Sequence, residues 1–478
     1  MTISRRIKQL VCESILFPLS NSLMNRKGIM NLYRKSLKTQ KVPQDLIQEI
    51  QLQKLKNVIQ YANTYIPFYK RRFASIGLQP GDIKCLKDIE YIPPLTREDV
   101  IDNHRQLVDV RNQESIASAE NSTNGPGEPI SFARFIKHKF MKNTSNGSTG
   151  SPTIFYENGA ITALNWVQEL RFRKWYKVRP GAKEARLARI STDFMPNNTK
   201  VLLREILWNQ LLLPGVNLSE FDNRTNYHKI SYFKPEVLWG STSSLTHLAE
   251  YMQNNNLKFS TWEPKVCITW AAPLYDHEKD LLERVFHCPI TNIYGAREVG
   301  HIAGVCPHGS MHINQDTLYV ETEKNNEELS GVDDGELLVT TLEQTPMPFI
   351  RYRMGDIGTI AESKCSCGIN LQVLKNLHGR TEEIFITRDG RMISPKFWCR
   401  TFMNKKLAGA IKRFQVRYTK KGDIKIKLVR HNTYTSKTEH TLKKFLKENF
   451  HSDINISFDF TEKIKPQVSG KYEMVVHE

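Results

Sequence analysis

Residues 143–152 read NTSNGSTGSP, between a basic segment (Arg134, Lys137, Lys139) and an apolar one (Ile154, Phe155, Tyr156). Glycines let a backbone turn its N–H groups toward an anion, and hydroxyls add further donors around it. That is the cradle a polyphosphate needs. No Lys-Ser/Thr pair follows the last glycine, so the stretch is not a Walker A loop. Taken alone it reads nearly as well as a surface linker, because Ser/Thr/Gly/Asn clusters usually are loops. What decides between the two lies further along the chain.

Downstream of this stretch, short apolar runs alternate with helical segments, the pattern of layered α/β structure. Residues 234–243 and 265–271 read as strands, with helices following at 244–252 and 281–286. Residues 318–360 change character: LYVETE, GELLVTTL and FIRYRMGDIGTIAE alternate as antiparallel strands do. From Arg380 onward a separate small α+β unit is expected, with strands at 414–418 and 423–429 and a basic helix at 437–449. Upstream, helices are predicted over 44–62 and from the Thr96/Asp99 capping pair. A basic amphipathic helix is predicted over 3–17, ended by Pro18. Residues 111–129, rich in Asn, Ser, Gly and Pro, read as a loop. The expected domains are a basic leader (1–40), a large unit (41–379) and a small lid (380–478).

At 478 residues the chain has ample length for a large core in more than one domain. Its 68 basic residues against 50 acidic leave a net charge of +18, which favours anionic partners: nucleotides, coenzyme A, acidic glycans, nucleic acid or an anionic membrane. The excess is concentrated in residues 1–40, which hold eight Lys/Arg and the single acid Glu13. The amphipathic helix there fits a membrane interface or packing on its own domain. No apolar run reaches the length of a membrane span, and Glu13 and Pro18 interrupt the signal-like N-terminus. Eight cysteines are too sparse for a disulfide scaffold and point to a reducing cytoplasm.

Four further stretches follow in order: NIYGAREVG (292–300), FIRYRMGDIG (349–358), LHGRTEEI (377–384) and VSGKYEMV (468–475). Together with 143–152 they resemble the motifs of adenylate-forming enzymes, and most closely the phenylacetate–CoA ligase family with its CapK relatives from capsular polysaccharide clusters. The leader stretches LQKLKNVIQYANTYIPFYKRRF and LKDIEYIPPLTREDV fit the same family. The resemblance implies a large N-terminal α/β domain with an added β-rich subdomain and a small, mobile C-terminal α+β domain. It implies that Ser145, Gly147, Ser148, Thr149 and Gly150 wrap the β- and γ-phosphates of ATP. Tyr294 and Gly295 fall where the adenine stacks, and Glu298 where a carboxylate binds Mg²⁺, a hard cation that prefers oxygen. Asp356 corresponds to the carboxylate on the ribose hydroxyls, Arg380 to a ribose or phosphate contact, and Glu382 to the hinge of the lid. Lys471 corresponds to the catalytic lysine, a cation set where negative charge builds at the α-phosphate. Two departures stand out. Arg297 replaces a more usual Thr, and Ala271-Ala272-Pro273-Leu274 lacks the family's usual Glu.

Cys306, His308, His312, Cys365 and Cys367 flank the strand-rich segment and suit one tetrahedral zinc site. The resembled family includes members with a Cys/His site here. The expected ligands are Cys306, His312, Cys365 and Cys367, with His308 as substitute; four protein ligands make such a site structural. Cys12, Cys85, Cys267, Cys288 and Cys399 have no partners at metal spacing and are expected to be core thiols.

The expectation is therefore a ligase that activates a carboxylic acid as an acyl-adenylate. The acyl group then passes to coenzyme A, or to an amine or sugar in polysaccharide synthesis. The alternative is a degenerate ligase scaffold acting as a basic peripheral-membrane or nucleic-acid-binding protein, although no nucleic-acid module is recognisable. The expected location is the cytoplasm, with contact at the inner face of the membrane left open.

Overall fold

The computed structural model describes residues 10–23, 28–112, 114, 140–145, 153–188, 207–216, 218–259, 261–323, 334–343, 345–361, 365–380, 385–386, 392–393, 395–402, 410–419, 423–450, 455–464 and 474–477. The first described helix differs from the expectation. It runs through Pro18 as a π-helical turn, Cys12–Leu16, followed by α1 (Phe17–Leu23). The Phe17 N–H donates to Cys12 O, five residues back. Pro18 is thus the second residue of α1, and the helix continues past it directly after the wider π-helical turn. Then come α2 (Ile29–Thr39), α3 (Gln44–Tyr65), α4 (Pro67–Ser75) and α5 (Arg97–Asn103). Thr96 caps α5 with the predicted reciprocal bonds to Asp99.

A hairpin of β1 (Phe140–Thr144) and β2 (Ile154–Asn158) leads into α6 (Gly159–Trp175). Next are β3 (Glu184–Ala188), β4 (Gln210–Pro214), α7 (Glu220–Phe233), β5 (Val237–Ser241), α8 (Thr242–Asn254), β6 (Val266–Trp270), α9 (Asp276–Phe286) and β7 (Ile290–Ala296). Strands β4-β3-β5-β6-β7 pair in parallel in that order. The near-continuous apolar strands reflect burial of both faces.

At β7 the sheet changes sense. Its N-terminal half pairs in parallel with β6, and its C-terminal half pairs antiparallel with β8 (Gly300–Val305). The antiparallel half continues through β9 (Met311–Ile313), β10 (Leu318–Glu323), β11 (Gly335–Thr341), β12 (Tyr352–Ala361) and β13 (Val373–Arg380), in the order β7-β8-β9-β13-β12-β11-β10. The 318–360 strands thus match the alternation read from the sequence.

Buried charge is part of the joinery. The fully buried Arg171 of α6 donates from Nη1 to both carboxylate oxygens of Asp316 at 2.9 Å. Arg173 of α6 binds Glu184 of β3 at 2.8 Å, and Arg186 of β3 binds Glu169 of α6 at 2.5 Å, holding β3 against α6. Paired charges of this kind tolerate burial. Helix α2 packs Ile29 and Tyr33 on Val167 and Leu170 of α6.

The C-terminal unit has its own core around Trp398, Phe414 and Leu442. It comprises the short pair β14 (Phe385–Ile386) and β15 (Met392–Ile393), α10 (Pro395–Phe402), β16 (Ile411–Tyr418), β17 (Ile424–Arg430), α11 (Ser436–Asn449), β18 (Ile456–Phe460) and β19 (Val475–His477). Four strands form one sheet in the order β18-β17-β16-β19. Among the described residues, no helix is long and apolar enough to cross a membrane.

Candidate active site and metal centre

The seam strand β7 carries the NIYGAREVG stretch, and the geometry there is set by two glycines. A Cβ on Gly295 would run into the carbonyl of Gly300, and one on Gly300, whose φ is +79°, would run into the Asn165 amide. With both glycines present, the β7–β8 turn folds tightly and presents Tyr294, Arg297 and Glu298, all half-buried. The Tyr294 hydroxyl donates to Asp356 Oδ2 at 2.7 Å. Residues 62 positions apart are thereby joined, because β12 lies across the antiparallel half from β7. Asp356 is in turn the ladder partner of Arg380 across β12–β13. One side-chain contact and one ladder pairing thus link Tyr294, Asp356 and Arg380, from β7, β12 and β13; the Arg380 side chain lies outside the described residues.

The 143–152 stretch begins on β1 and is the connection of the β1–β2 hairpin. Ser145 and Thr153 close its mouth: the Ser145 N–H donates to Thr153 O at 2.9 Å, and the Thr153 N–H to Ser145 Oγ at 3.0 Å. Gly147, Ser148, Thr149, Gly150, Glu382 and Lys471 lie outside the described residues, as does most of 111–129.

Arg297 does not project into solvent. It donates from Nη1 to Thr144 O at 2.6 Å and from Nη2 to Asn143 Oδ1 at 2.5 Å. Burial pulls its pKa down, while the carboxylates of Glu157 and Glu298 push it up. Glu298 and Glu157 both border one small cavity of about 40 Å³, whose lining also includes Phe155, Ile161, Val299 and Phe349. Asn143, Thr144 and Glu157 were not assigned individual roles from the sequence; FMKNT and IFYEN run from apolar to polar without period-2 alternation, so no strand pattern flags the residues they carry.

At the departure 271–274, Ala271 sits at φ +69°, a conformation that favours glycine. Its strand is secured nearby, since Ala272 O accepts from Thr242 Oγ1 at 3.2 Å and Asn292 Nδ2 at 3.1 Å. Trp270, at the end of β6, is 38% exposed.

The four expected metal ligands converge. One ligand atom from each of Cys306, His312, Cys365 and Cys367 lies within 4.8 Å of all the others. Cys306 Sγ is 3.8 Å from Cys365 Sγ, and Cys367 Sγ is 3.2 Å from His312 Nε2. Tetrahedral zinc with bonds of ~2.3 Å to sulfur would set its thiolates about 3.8 Å apart. The Nδ1 of His312 lies 3.0 Å from Leu371 O; a proton there leaves Nε2 free toward the sulfurs. Three thiols and one buried imidazole are a donor set that fits zinc. His308 is not the substitute ligand: it is exposed, with Nδ1 3.0 Å from Ser366 Oγ. Among the remaining cysteines, Cys12, Cys267 and Cys288 are buried as expected. Cys85 is exposed, its thiol 3.3 Å from Asp88 in a capping box, and so is no core thiol.

Residues 385–478 match the family described as the CapK C-terminal domain. Protein CapK of Staphylococcus aureus is 21% identical over 98% of this chain and 97% of its own length. The relationship is to CapK and the phenylacetate–CoA ligases. The phenylacetate-coenzyme A ligase of Thermus thermophilus is 21% identical over 75% of either chain. In fold, the chain resembles a 2-hydroxyisobutyryl-CoA ligase solved with an acyl-AMP in its postadenylation state. Their TM-score is 0.70 at 18% identity, over 92% of this chain and 91% of that one. The fold is that of the adenylate-forming enzymes.

Proposed function

We propose that this chain is an AMP-forming acid ligase. A substrate carboxylate attacks the α-phosphorus of ATP, the bond to the β-phosphate oxygen breaks, and pyrophosphate leaves. The resulting acyl-adenylate then loses AMP as a second nucleophile takes the acyl carbon. The 2.7 Å contact between Tyr294 and Asp356 supports the reading, because it joins the two side chains that the motif resemblance assigns to adenine and ribose. In this reading Asp356 accepts from the ribose hydroxyls. The hairpin connection, with Gly147, Ser148, Thr149 and Gly150, offers N–H and hydroxyl donors to the phosphates. Glu298 would hold Mg²⁺, which supplies charge neutralisation between the phosphates. Lys471 sets a cation against the charge developing at the α-phosphate. The thiol of coenzyme A is the acceptor the similarity to acid–CoA ligases favours; an amine or a sugar hydroxyl of a polysaccharide precursor is the variant. Cys306, His312, Cys365 and Cys367 would hold a structural zinc.

The test is pyrophosphate release from Mg·ATP across a panel of carboxylic, amino and uronic acids, with wild type and Lys471→Ala. Release that needs one acid and collapses in the variant supports adenylation and names the acid. No release with any acid, together with no ATP binding, favours the degenerate scaffold.

A second reading concerns location. Leu10, Val11, Ile15 and Leu19 are exposed along one helical segment, while the neighbouring α2 exposes Arg34, Lys35 and Lys38. Apolar and basic groups side by side suit the surface of an anionic bilayer. Ile15→Glu with Leu19→Glu should abolish flotation with phosphatidylserine vesicles; undiminished flotation would remove this reading.

A further inference from the structure

The β1–β2 hairpin stands apart from the eleven-stranded sheet, as a separate two-stranded unit. An isolated pair of strands is marginal in water, so its position depends on what grips it from outside. One such grip is Arg297, in the turn after β7. Its guanidinium donates to Thr144 O at 2.6 Å and to Asn143 Oδ1 at 2.5 Å, both on β1. Asn143 passes the hold to the second strand: its Nδ2 donates to Glu157 Oε2 at 3.0 Å. A single side chain therefore ties both strands of the stem to the turn whose next residue is Glu298. The fork geometry matters, because two parallel donors fix an angle as well as a distance, which a lysine cannot do.

We propose that Arg297 is a positioning residue for the nucleotide, a strap that fixes the stem of the 143–152 connection against the turn bearing Glu298. This rests on the ATP reading above and adds to it a residue that need not touch the substrate. The strap fixes the stem residues Asn143, Thr144 and Glu157 against the turn bearing Glu298 before ATP arrives. Losing it leaves those groups in the chain but obliges ATP to order them on binding. The cost then falls on nucleotide affinity and not on the acid pocket.

The experiment uses the full chain and its Arg297→Ala, Arg297→Lys and Asn143→Ala variants. KM for Mg·ATP is measured by pyrophosphate release at saturating acid, and ATP affinity by equilibrium titration. Arg297→Ala should raise KM for Mg·ATP and weaken ATP binding, each by roughly tenfold to a hundredfold, the usual range for charge-assisted hydrogen bonds. KM for the acid should stay within about twofold, as expected for a site with no shared partner. Arg297→Lys should recover part of the loss, and combining Arg297→Ala with Asn143→Ala should cost less than the two changes separately. An unchanged KM for Mg·ATP, or equal rises for ATP and acid, would overturn the proposal. Amide exchange across 140–145 and 153–158 gives a readout that does not use ATP. It should accelerate in Arg297→Ala and partly recover in Arg297→Lys. If wild type neither binds ATP nor releases pyrophosphate, the ATP reading fails and with it the nucleotide role; unchanged exchange removes the strap itself.

Discussion

The Cys/His cluster and the nucleotide site are both gathered from stretches far apart in sequence, yet they are built in opposite ways. The cluster is closed. Its four donors approach within 4.8 Å of one another, and the imidazole is oriented by a backbone carbonyl. The proposed nucleotide site is described only in part. Tyr294 and Asp356 stand on strands and touch, whereas Gly147, Ser148, Thr149, Gly150, Glu382 and Lys471 lie outside the described residues. A structural site has one geometry to hold. A site that binds, reacts and releases needs some parts fixed and others free to approach, and under the proposed adenylation Lys471 would belong to the latter.

The largest expected effect tests the divided site. Lys471→Ala should lower the rate of pyrophosphate release by about 10²–10³-fold, the scale for removing one transition-state charge contact. ATP affinity should change only a few-fold, because the interaction is made mainly as the reaction proceeds. A parallel loss of ATP binding would move Lys471 from the chemistry to ground-state binding.

The closed site should behave differently. Cys306→Ser ought to release one equivalent of zinc and lower stability by several kcal/mol, as ligand loss does where metal binding is coupled to folding. Cys365→Ser should do the same, while His308→Ala should stay within about 0.5 kcal/mol, like other surface changes. Metal content and thermal unfolding check this. A purified wild-type chain free of zinc, with Cys306→Ser equally stable, would make the cluster merely a group of adjacent thiols.

How far each region could be read in advance follows from the same contrast. Tyr294, Glu298 and Asp356 were singled out by the motif resemblance, and the structure adds the contact between Tyr294 and Asp356; β10–β12 were legible because alternation is a strand's signature. The Cys/His ligands were legible by type, but their convergence depends on β9 pairing with β13, which no local pattern reveals. Arg297 stood out only as an unusual residue. Its partners lie 153 and 154 positions away, on a hairpin whose placement depends on the whole sheet. Pro18 misled for the opposite reason: a local stop signal was absorbed by a π-helical turn. Arg171 would be assigned to the surface by type, yet it is fully buried against Asp316.

A third region sharpens the comparison, because it joins the two large units. Arg413 of β16 places Nη2 2.5 Å from His247 Nε2 and 4.0 Å from Glu250, both on α8. Tyr275, at the start of α9, packs on the core of the C-terminal unit. Arg413→Ala should loosen this contact and shift the ratio of adenylation to acyl transfer by a few-fold, in line with an energy near 1 kcal/mol for a partly exposed charge contact. Separate assays of the two half-reactions check it; an unchanged ratio would leave Arg413 with a packing role only.

A last effect concerns pH at the same junction. Glu278 accepts from the Tyr275 N–H at 3.1 Å, and burial pushes its pKa up to about 7, with the nearby Glu250 carboxylate adding to the rise. The groups around it are Glu250 and His247 on α8, with Lys412 and Arg413 facing them from β16. Because the folded pKa lies above the unfolded one, Glu278 favours folding most below about pH 4.5. That contribution falls as pH rises and is gone above about 7, at no more than about 1.4 kcal/mol per pH unit. Burial lowers His247 to about 4, so its cost appears on the acid side, as pH falls below about 6.5. The two slopes oppose each other, so the raw stability profile of wild type would conceal both. Glu278→Gln separates them, since its amide oxygen still accepts from the Tyr275 N–H but cannot ionise. The stability gap in favour of Glu278→Gln should widen from pH 5 to pH 7 and then level off. A gap that stays flat over that range would mean Glu278 is ionised throughout and is compensated by Arg413 more strongly than by burial.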